Sequence, residues 1–250
     1  MEKIRGILFD KDGTLLDFDS MWIPVAISLV EEIVVDFGVE NNIQINSKLL
    51  KYIGVEDGIL QPSAILAWGT AEDISEAFKV VLLNEKVAEE TLSELDVLVK
   101  NKIHKLVKEK AKLIKPTGNL IKLLEDIKQK NVLIGLATSD SYESTQLCLE
   151  QLEIKEYFNF IGTDDGVSKA KPNPEVLYKF CESCGLKPKE VAVVGDTEID
   201  MLLANNGKAA LAIAVKPRTS GGGNLDKIAD FIINSVEELI DTNGEFLWCS

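Results

Sequence analysis

"VAVVGDTEIDMLLANNGKAALAIAV", residues 191–215, decides the fold. A β-branched run (191–195) leads into a helix-period stretch, "EIDMLLANNG" (198–207), and then into a second apolar run (209–215). A strand, a helix and another strand read as a βαβ unit whose strands run parallel. Runs with hardly a polar residue belong to a sheet covered on both faces.

The same alternation extends outward. Upstream lie a helix starting at Thr117 or Gly118 ("TGNLIKLLEDIKQKN"), the strand "VLIGLAT" (132–138) and the helix "SYESTQLCLEQL" (141–152). The short apolar stretch "YFNFIG" (157–162) and the helix "NPEVLYKFCESCG" (173–185) follow. Downstream come a Gly-rich loop, the strand "ADFII" (229–233) and a closing helix. With right-handed crossovers this is an α/β fold, a Rossmann-like doubly wound parallel sheet. Its first strand, "IRGILF" (4–9), stands apart from the rest, separated by about a hundred residues of helical period. The predicted organisation is therefore an α/β core of residues 1–16 and 117–250, with an all-helical domain, 17–116, inserted after the first strand. In its longest helix Ile103, Leu106, Val107, Leu113 and Ile114 form the apolar stripe.

Composition narrows the function classes. Acidic residues outnumber basic ones 41 to 27 in 250 residues, a net charge of −14. That argues against a nucleic-acid binder, which needs a basic footprint. An anionic substrate would have to meet locally placed cations. No apolar run suits a membrane helix, and the N-terminal apolar segment is too short for a signal peptide, so a cytoplasmic protein is expected. Cys181 and Cys184 form a CxxC, half a zinc site or a redox pair in one reading and helix-face thiols in the other. No second CxxC accompanies it, and the one histidine, His104, is far upstream, which favours the thiols. "RTSGGGN" (218–224) lacks the Gly-Lys-Ser/Thr of a P-loop and reads as a flexible loop.

In an open parallel sheet, ligands bind beyond the carboxyl ends of the strands. "ILFDKDGTLLD" (7–17) puts Asp10 and Asp12 at the end of the first strand. Asp-Gly between apolar runs is also a strong hairpin signal, so the stretch by itself reads as a turn or as a site. The other strand ends decide. "LATSD" ends in Thr138 and Ser139, whose hydroxyls and amides suit a phosphate oxygen, or simply cap the next helix. "SKAKPNPE" supplies Lys171 before a proline, with Lys169 nearby, as a point charge or as an ordinary surface lysine. "GDTEID" supplies Asp196 and, one helical turn on, Asp200, a carboxylate pair or a turn with an N-cap. A hard cation such as Mg²⁺ takes carboxylates, water and phosphate oxygens. All of these groups at strand ends together point to a site.

These four motifs together resemble the haloacid dehalogenase-type phosphohydrolases, in the branch of phosphoglycolate phosphatase and β-phosphoglucomutase. The inserted helical domain resembles that branch's C1-type cap in position and helicity. The resemblance implies an enzyme that hydrolyses the phosphate monoester of a small phosphorylated metabolite, a phosphomutase or a non-catalytic phosphate-binding module being the alternatives. It implies Asp10 as nucleophile and Asp12 as general acid and base. Thr138, Lys171 and the backbone around Gly13 would hold the phosphoryl group, with Ser139 as a further substrate contact. Mg²⁺ would be held by the carboxylates of Asp10 and Asp196 and the backbone carbonyl of Asp12, with Asp200 binding directly or through water. The cap is expected to carry specificity and to close over the site, with hinges near 16–20 and 113–118. "GVEDGILQPSAILAWGT" (54–70), its least helical stretch, is the candidate substrate loop, with Trp68 as a contact or, like Trp22, as core. The seven lysines from Lys100 to Lys115 read as a solvated helix face. Lys11, following Asp10, should point away from the carboxylates and have no catalytic role. A monomer or homodimer is expected, with no nucleic-acid or membrane partner.

Overall fold

The structure, a computed structural model, describes residues 3–39, 43–61, 64–216 and 225–249. The chain divides into two compact units: Met1–Asp17 with Lys115–Ser250, and Phe18–Ile114.

In the first unit β1 (Gly6–Phe9) is buried along its whole length. The second unit then carries α1 (Phe18–Asp36), α2 (Ile43–Tyr52), β2 (Val55–Glu56), β3 (Ile59–Leu60), α3 (Ile65–Trp68), α4 (Ala71–Asn84) and α5 (Leu95–Glu109). Back in the first unit follow α6 (Leu120–Gln129), β4 (Leu133–Ser141), α7 (Tyr142–Gln151), β5 (Phe160–Asp164) and α8 (Glu175–Cys184). The last elements are β6 (Val191–Gly195), α9 (Glu198–Gly207), β7 (Leu211–Val215), α10 (Leu225–Ile228) and β8 (Phe231–Ile233).

The sheet order is β5-β4-β1-β6-β7-β8, every neighbouring pair parallel. Winding runs from β1 outward through β4 and β5, then jumps back to β6 and runs outward again. The reversal falls between β1 and β6, the crevice where such sheets bind ligands. Leu8, Val193, Ala212 and Ala214 face one apolar layer with Leu177 and Phe180 of α8 and Met201 of α9. Gly6 and Gly135 leave room there for the Phe180 ring, since a Cβ at Gly135 would stand 2.9 Å from it. Period-2 alternation turns Ile7, Phe9, Ile134 and Leu136, all buried, to the other face.

The second unit is helical with one departure. Thr70 starts α4 with a capping box to Asp73, and apolar faces of α1, α4 and α5 are buried. The departure is the antiparallel β2–β3 hairpin, turned by Asp57 (φ 51°) and Gly58 (φ 74°). Both are left-handed, as a two-residue hairpin loop requires. So the insertion is not purely helical, and the exception lies within 54–70. Trp22 is buried beside Phe18. The Trp68 side chain lies outside the described residues.

Three local expectations change. Leu113 leaves the α5 stripe because the helix ends at Glu109 and a 3₁₀ turn over Ala111–Leu113 alters the period. Asn119, not Thr117 or Gly118, caps α6 by accepting from the Lys122 amide. The closing helix is only a 3₁₀ turn over Val236–Leu239. The "RTSGGGN" loop lies outside the described residues. None of the described helices is long and apolar enough to cross a membrane.

Candidate active site

Asp10 and Asp196 leave the ends of β1 and β6, the two strands that flank the winding reversal. The parallel pairing of Phe9 with Val194 brings them to within one residue of the same level, and the Asp10 amide donates to the Val194 carbonyl at 2.8 Å. The chain then bends back. The Leu15 and Leu16 amides both donate to the Lys11 carbonyl at 2.9 Å, and Gly13 has φ +83°. The turn that "DKDG" signals is thus present, though no hairpin forms, and it lies at the sheet's ligand-binding edge. A Cβ at Gly13 would lie 2.1 Å from Asp196 Oδ2, so only glycine fits between backbone and carboxylate.

Lys171, from the β5–α8 connection, joins this group. Its Nζ donates to Asp10 Oδ1 at 2.6 Å, to Asp200 Oδ1 at 2.7 Å and to the Ala137 carbonyl at 3.3 Å. Asp200 sits in the first turn of α9, where its Oδ2 accepts from the Thr197 amide and hydroxyl. Pinned on both oxygens, it holds Lys171 against Asp10. Asp196 Oδ1 accepts from the Thr14 hydroxyl at 3.2 Å. Lys169, by contrast, is exposed.

Three carboxylates lie close together, two of them paired with one ammonium. Burial, reinforced by Asp200 and Asp12, pushes Asp10 up to about 7 against the pull of Lys171. Burial, followed by Asp10 and Asp200, raises Asp196 well above the carboxylate range. Burial also disfavours a charged Lys171, but Asp10 and Asp200 outweigh it and raise its pKa. The surplus of negative charge is what a hard cation would offset. One oxygen each from Asp10, Asp196 and Asp200 lies within 4.8 Å of the others, so the donor set and its charge fit Mg²⁺. The Asp12 carboxylate lies outside that trio.

Beyond Ala137 the edge of β4 is irregular. Its register on β5 shifts between Ala137 and Ser141, a bulge of the kind that re-aims side chains. Thr138 is buried, and its Oγ1 accepts from the Asp140 amide at 3.1 Å. The cap of α7 is Ser141, so Thr138 and Ser139 are not its N-cap. Ser139 is half-buried.

Lys11 does not point away from both carboxylates, contrary to the expectation from its place in the strand. It is fully buried, with Nζ 2.7 Å from Asp12 Oδ2, 3.1 Å from Asp140 Oδ2 and 3.9 Å from the Cys148 thiol of α7. Strand alternation did turn it from Asp10, but its four-carbon stem and the bend after Asp10 bring the ammonium back to Asp12. Burial opposes its charge, and Asp12, with Cys148 and Asp140 behind it, reverses that and raises its pKa. Burial raises Asp140 against Lys11, and pushes the Cys148 thiol up to about 12. Sequence reading missed Asp140 altogether. The available signal was a carboxylate two residues beyond Thr138.

The CxxC offers no comparable chemistry. Cys181 is buried on α8, where burial pushes its thiol up to about 11. No described His, Asp or Glu completes a metal group with it. His104 lies on α5, half-buried.

The chain is thus an α/β protein with a doubly wound sheet, carboxylates at its reversal point and a lysine across them. The family model for haloacid dehalogenase-like hydrolases matches residues 4–207, and the chain belongs to that family. The chain is 26% identical over 207 residues to phosphoglycolate phosphatase of Shigella boydii, covering 81% of this chain and 78% of that one. It is 26% identical over 129 residues to the pyrophosphatase PpaX of Bacillus cereus, covering 51% of this chain and 59% of that protein's length. In fold it is similar to a crystal structure described as a predicted phosphoglycolate phosphatase from Haemophilus somnus. That match has a TM-score of 0.70 at 17% identity, over 94% of this chain and 96% of that one.

Proposed function

We propose that the protein is a Mg²⁺-dependent phosphatase for a small-molecule phosphate monoester, with a phosphoglycolate-like acid phosphate as the first substrate to test. One observation carries the reading: the carboxylates of Asp10, Asp196 and Asp200 converge at the crevice between β1 and β6, with Lys171 paired to Asp10 and Asp200. The likeness to phosphoglycolate phosphatase supports the choice of first substrate.

Asp10 is the nucleophile. A carboxylate oxygen attacks phosphorus in line; the new O–P bond forms as the ester P–O bond breaks, and the electron pair leaves with the alkoxide. Asp12 gives that oxygen its proton. Asp12 then takes a proton from water, whose oxygen attacks phosphorus, and the O–P bond to Asp10 breaks to release phosphate. Lys171, the Thr138 hydroxyl and the backbone around Gly13 bind the phosphoryl oxygens, and Ser139 contacts the substrate. A Mg²⁺ on the Asp10 and Asp196 carboxylates and the Asp12 carbonyl, with Asp200 directly or through water, would offset the repulsion between carboxylate and phosphate.

Phosphate release from a panel of small-acid, sugar and nucleotide monoesters, with Asp10→Asn as control, tests the reading. Mg²⁺-dependent release by the native chain, lost in Asp10→Asn at unchanged melting temperature, is expected. Release by the variant at the native rate would refute the role of Asp10.

A further inference from the structure

We propose that Lys11 is a positioning residue for Asp12 and that Asp140 anchors it; the proposal rests on Asp12 being the proton donor and acceptor described above. Lysine is almost never fully buried unless it is paired, because an ammonium taken out of water costs several kcal/mol. An apolar side chain would fill this volume without that cost. Lys11 has 0% exposure and two carboxylate partners, Asp12 Oδ2 at 2.7 Å and Asp140 Oδ2 at 3.1 Å.

The anchor is itself fixed. Asp140 belongs to β4, its amide donates to Thr138 Oγ1 at 3.1 Å, and its Oδ1 accepts from the Ser141 amide at 2.8 Å. β4 is locked to β1 by the parallel pairs from Gly6↔Leu133 to Phe9↔Leu136. A continuous set of bonds therefore runs from the backbone of β4, through Asp140 and Lys11, to the Asp12 carboxylate. Asp12 lies past the end of β1, in a turn, where its own strand no longer fixes its direction. Its two jobs require one carboxylate to meet the leaving oxygen and then the incoming water, and small misplacements are costly in such transfers.

The rival explanation is charge balance, in which Lys11 only neutralises two buried acids. The two differ in what they do to the leaving group. A mispositioned Asp12 slows esters of poorly acidic alcohols, whose oxygen needs a proton. It spares kcat/KM for p-nitrophenyl phosphate, which reports only the first half-reaction and whose oxygen leaves unaided. A charge-balancing role lowers both alike.

The test compares kcat/KM for an alkyl phosphate and for p-nitrophenyl phosphate in the native chain, Lys11→Met, Lys11→Met/Asp140→Asn and Asp12→Asn. The double substitution removes one cation and one anion together, so the local net charge is kept even if Lys11→Met alone does not fold. The expected result is a fall of about 100-fold in the alkyl-to-aryl ratio for the folded Lys11 variants, approaching that of Asp12→Asn. An unchanged ratio, with both esters slowed equally or neither slowed, would overturn the proposal. If Asp12→Asn also leaves the ratio unchanged, the failure lies instead with Asp12 as the proton donor.

Discussion

Lys171 Nζ lies 2.6 Å from Asp10 Oδ1, a buried ion pair across the crevice between β1 and β6. The same ammonium is 2.7 Å from Asp200 Oδ1. It is thus the ammonium that faces the carboxylate trio, in a chain whose net charge is −14.

Replacing Lys171 by Met strands Asp10 and Asp200 together. Removing one partner of a buried pair costs about 3–5 kcal/mol. Without metal, Lys171→Met should therefore melt well below the native chain at pH 7.5, and the gap should narrow toward pH 5 as the carboxylates take up protons. Phosphatase activity should fall by at least about 100-fold, since the lysine is the charge-bearing hold on the phosphoryl group. Calorimetry across that pH range and a phosphate-release assay check both parts. A variant as stable and active as the native chain would remove Lys171 from the site.

Metal removal should show a pH signature. The Asp10 carboxyl, raised to about 7 by burial, and Asp196, which burial also raises well above the carboxylate range, keep protons in the metal-free folded chain that the unfolded chain releases near 3.8. Between about pH 4 and 7 the folded state binds more protons than the unfolded one, so this site's contribution to stability falls as pH rises. Mg²⁺, competing with those protons, should raise the melting temperature more at pH 8 than at pH 5. Thermal melts in EDTA and in Mg²⁺ at both pH values measure the difference. A Mg²⁺ effect that is flat or larger at pH 5 would contradict the carboxylate trio as the metal site.

Gly13→Ala should be nearly inactive. The new Cβ would meet Asp196 Oδ2 at 2.1 Å, and φ +83° adds strain of about 1–3 kcal/mol. Gly166→Ala, also at positive φ (68°) but with nothing within 4 Å, carries the backbone strain without the clash. Equal activity in the two variants would mean that the Asp196 contact does not matter.

Much of this site was legible because its residues lie at strand ends. Apolar runs of four to five residues, alternating with helices, located β1, β6 and β7, and the residues just past the first two are Asp10 and Asp196. Lys171 and Asp200 were legible from local pattern, a lysine before Pro172 and an acid one turn into a helix. Lys11 was misjudged because alternation describes where a side chain starts, not where a long flexible stem ends. Asp140 was missed because its orientation depends on a bulge in β4, which depends on pairing with β5 and leaves no mark in β4 itself. The β2–β3 hairpin escaped for the converse reason. Its Asp57-Gly58 signal was present, but two-residue strands are too short to show a period.

The central claim is that Asp10 carries the phosphoryl group between two half-reactions. The direct measurement mixes Asp12→Asn with p-nitrophenyl phosphate in Mg²⁺, quenches in acid and maps the phosphorylated peptide by mass spectrometry. The first half-reaction needs no proton for this ester, and the second is slowed without Asp12, so the intermediate should accumulate. The predicted result is a burst of nitrophenolate approaching one per chain, with the phosphoryl group on the peptide containing Asp10. Turnover without any phosphorylated peptide, or with the group on another residue, would contradict the account.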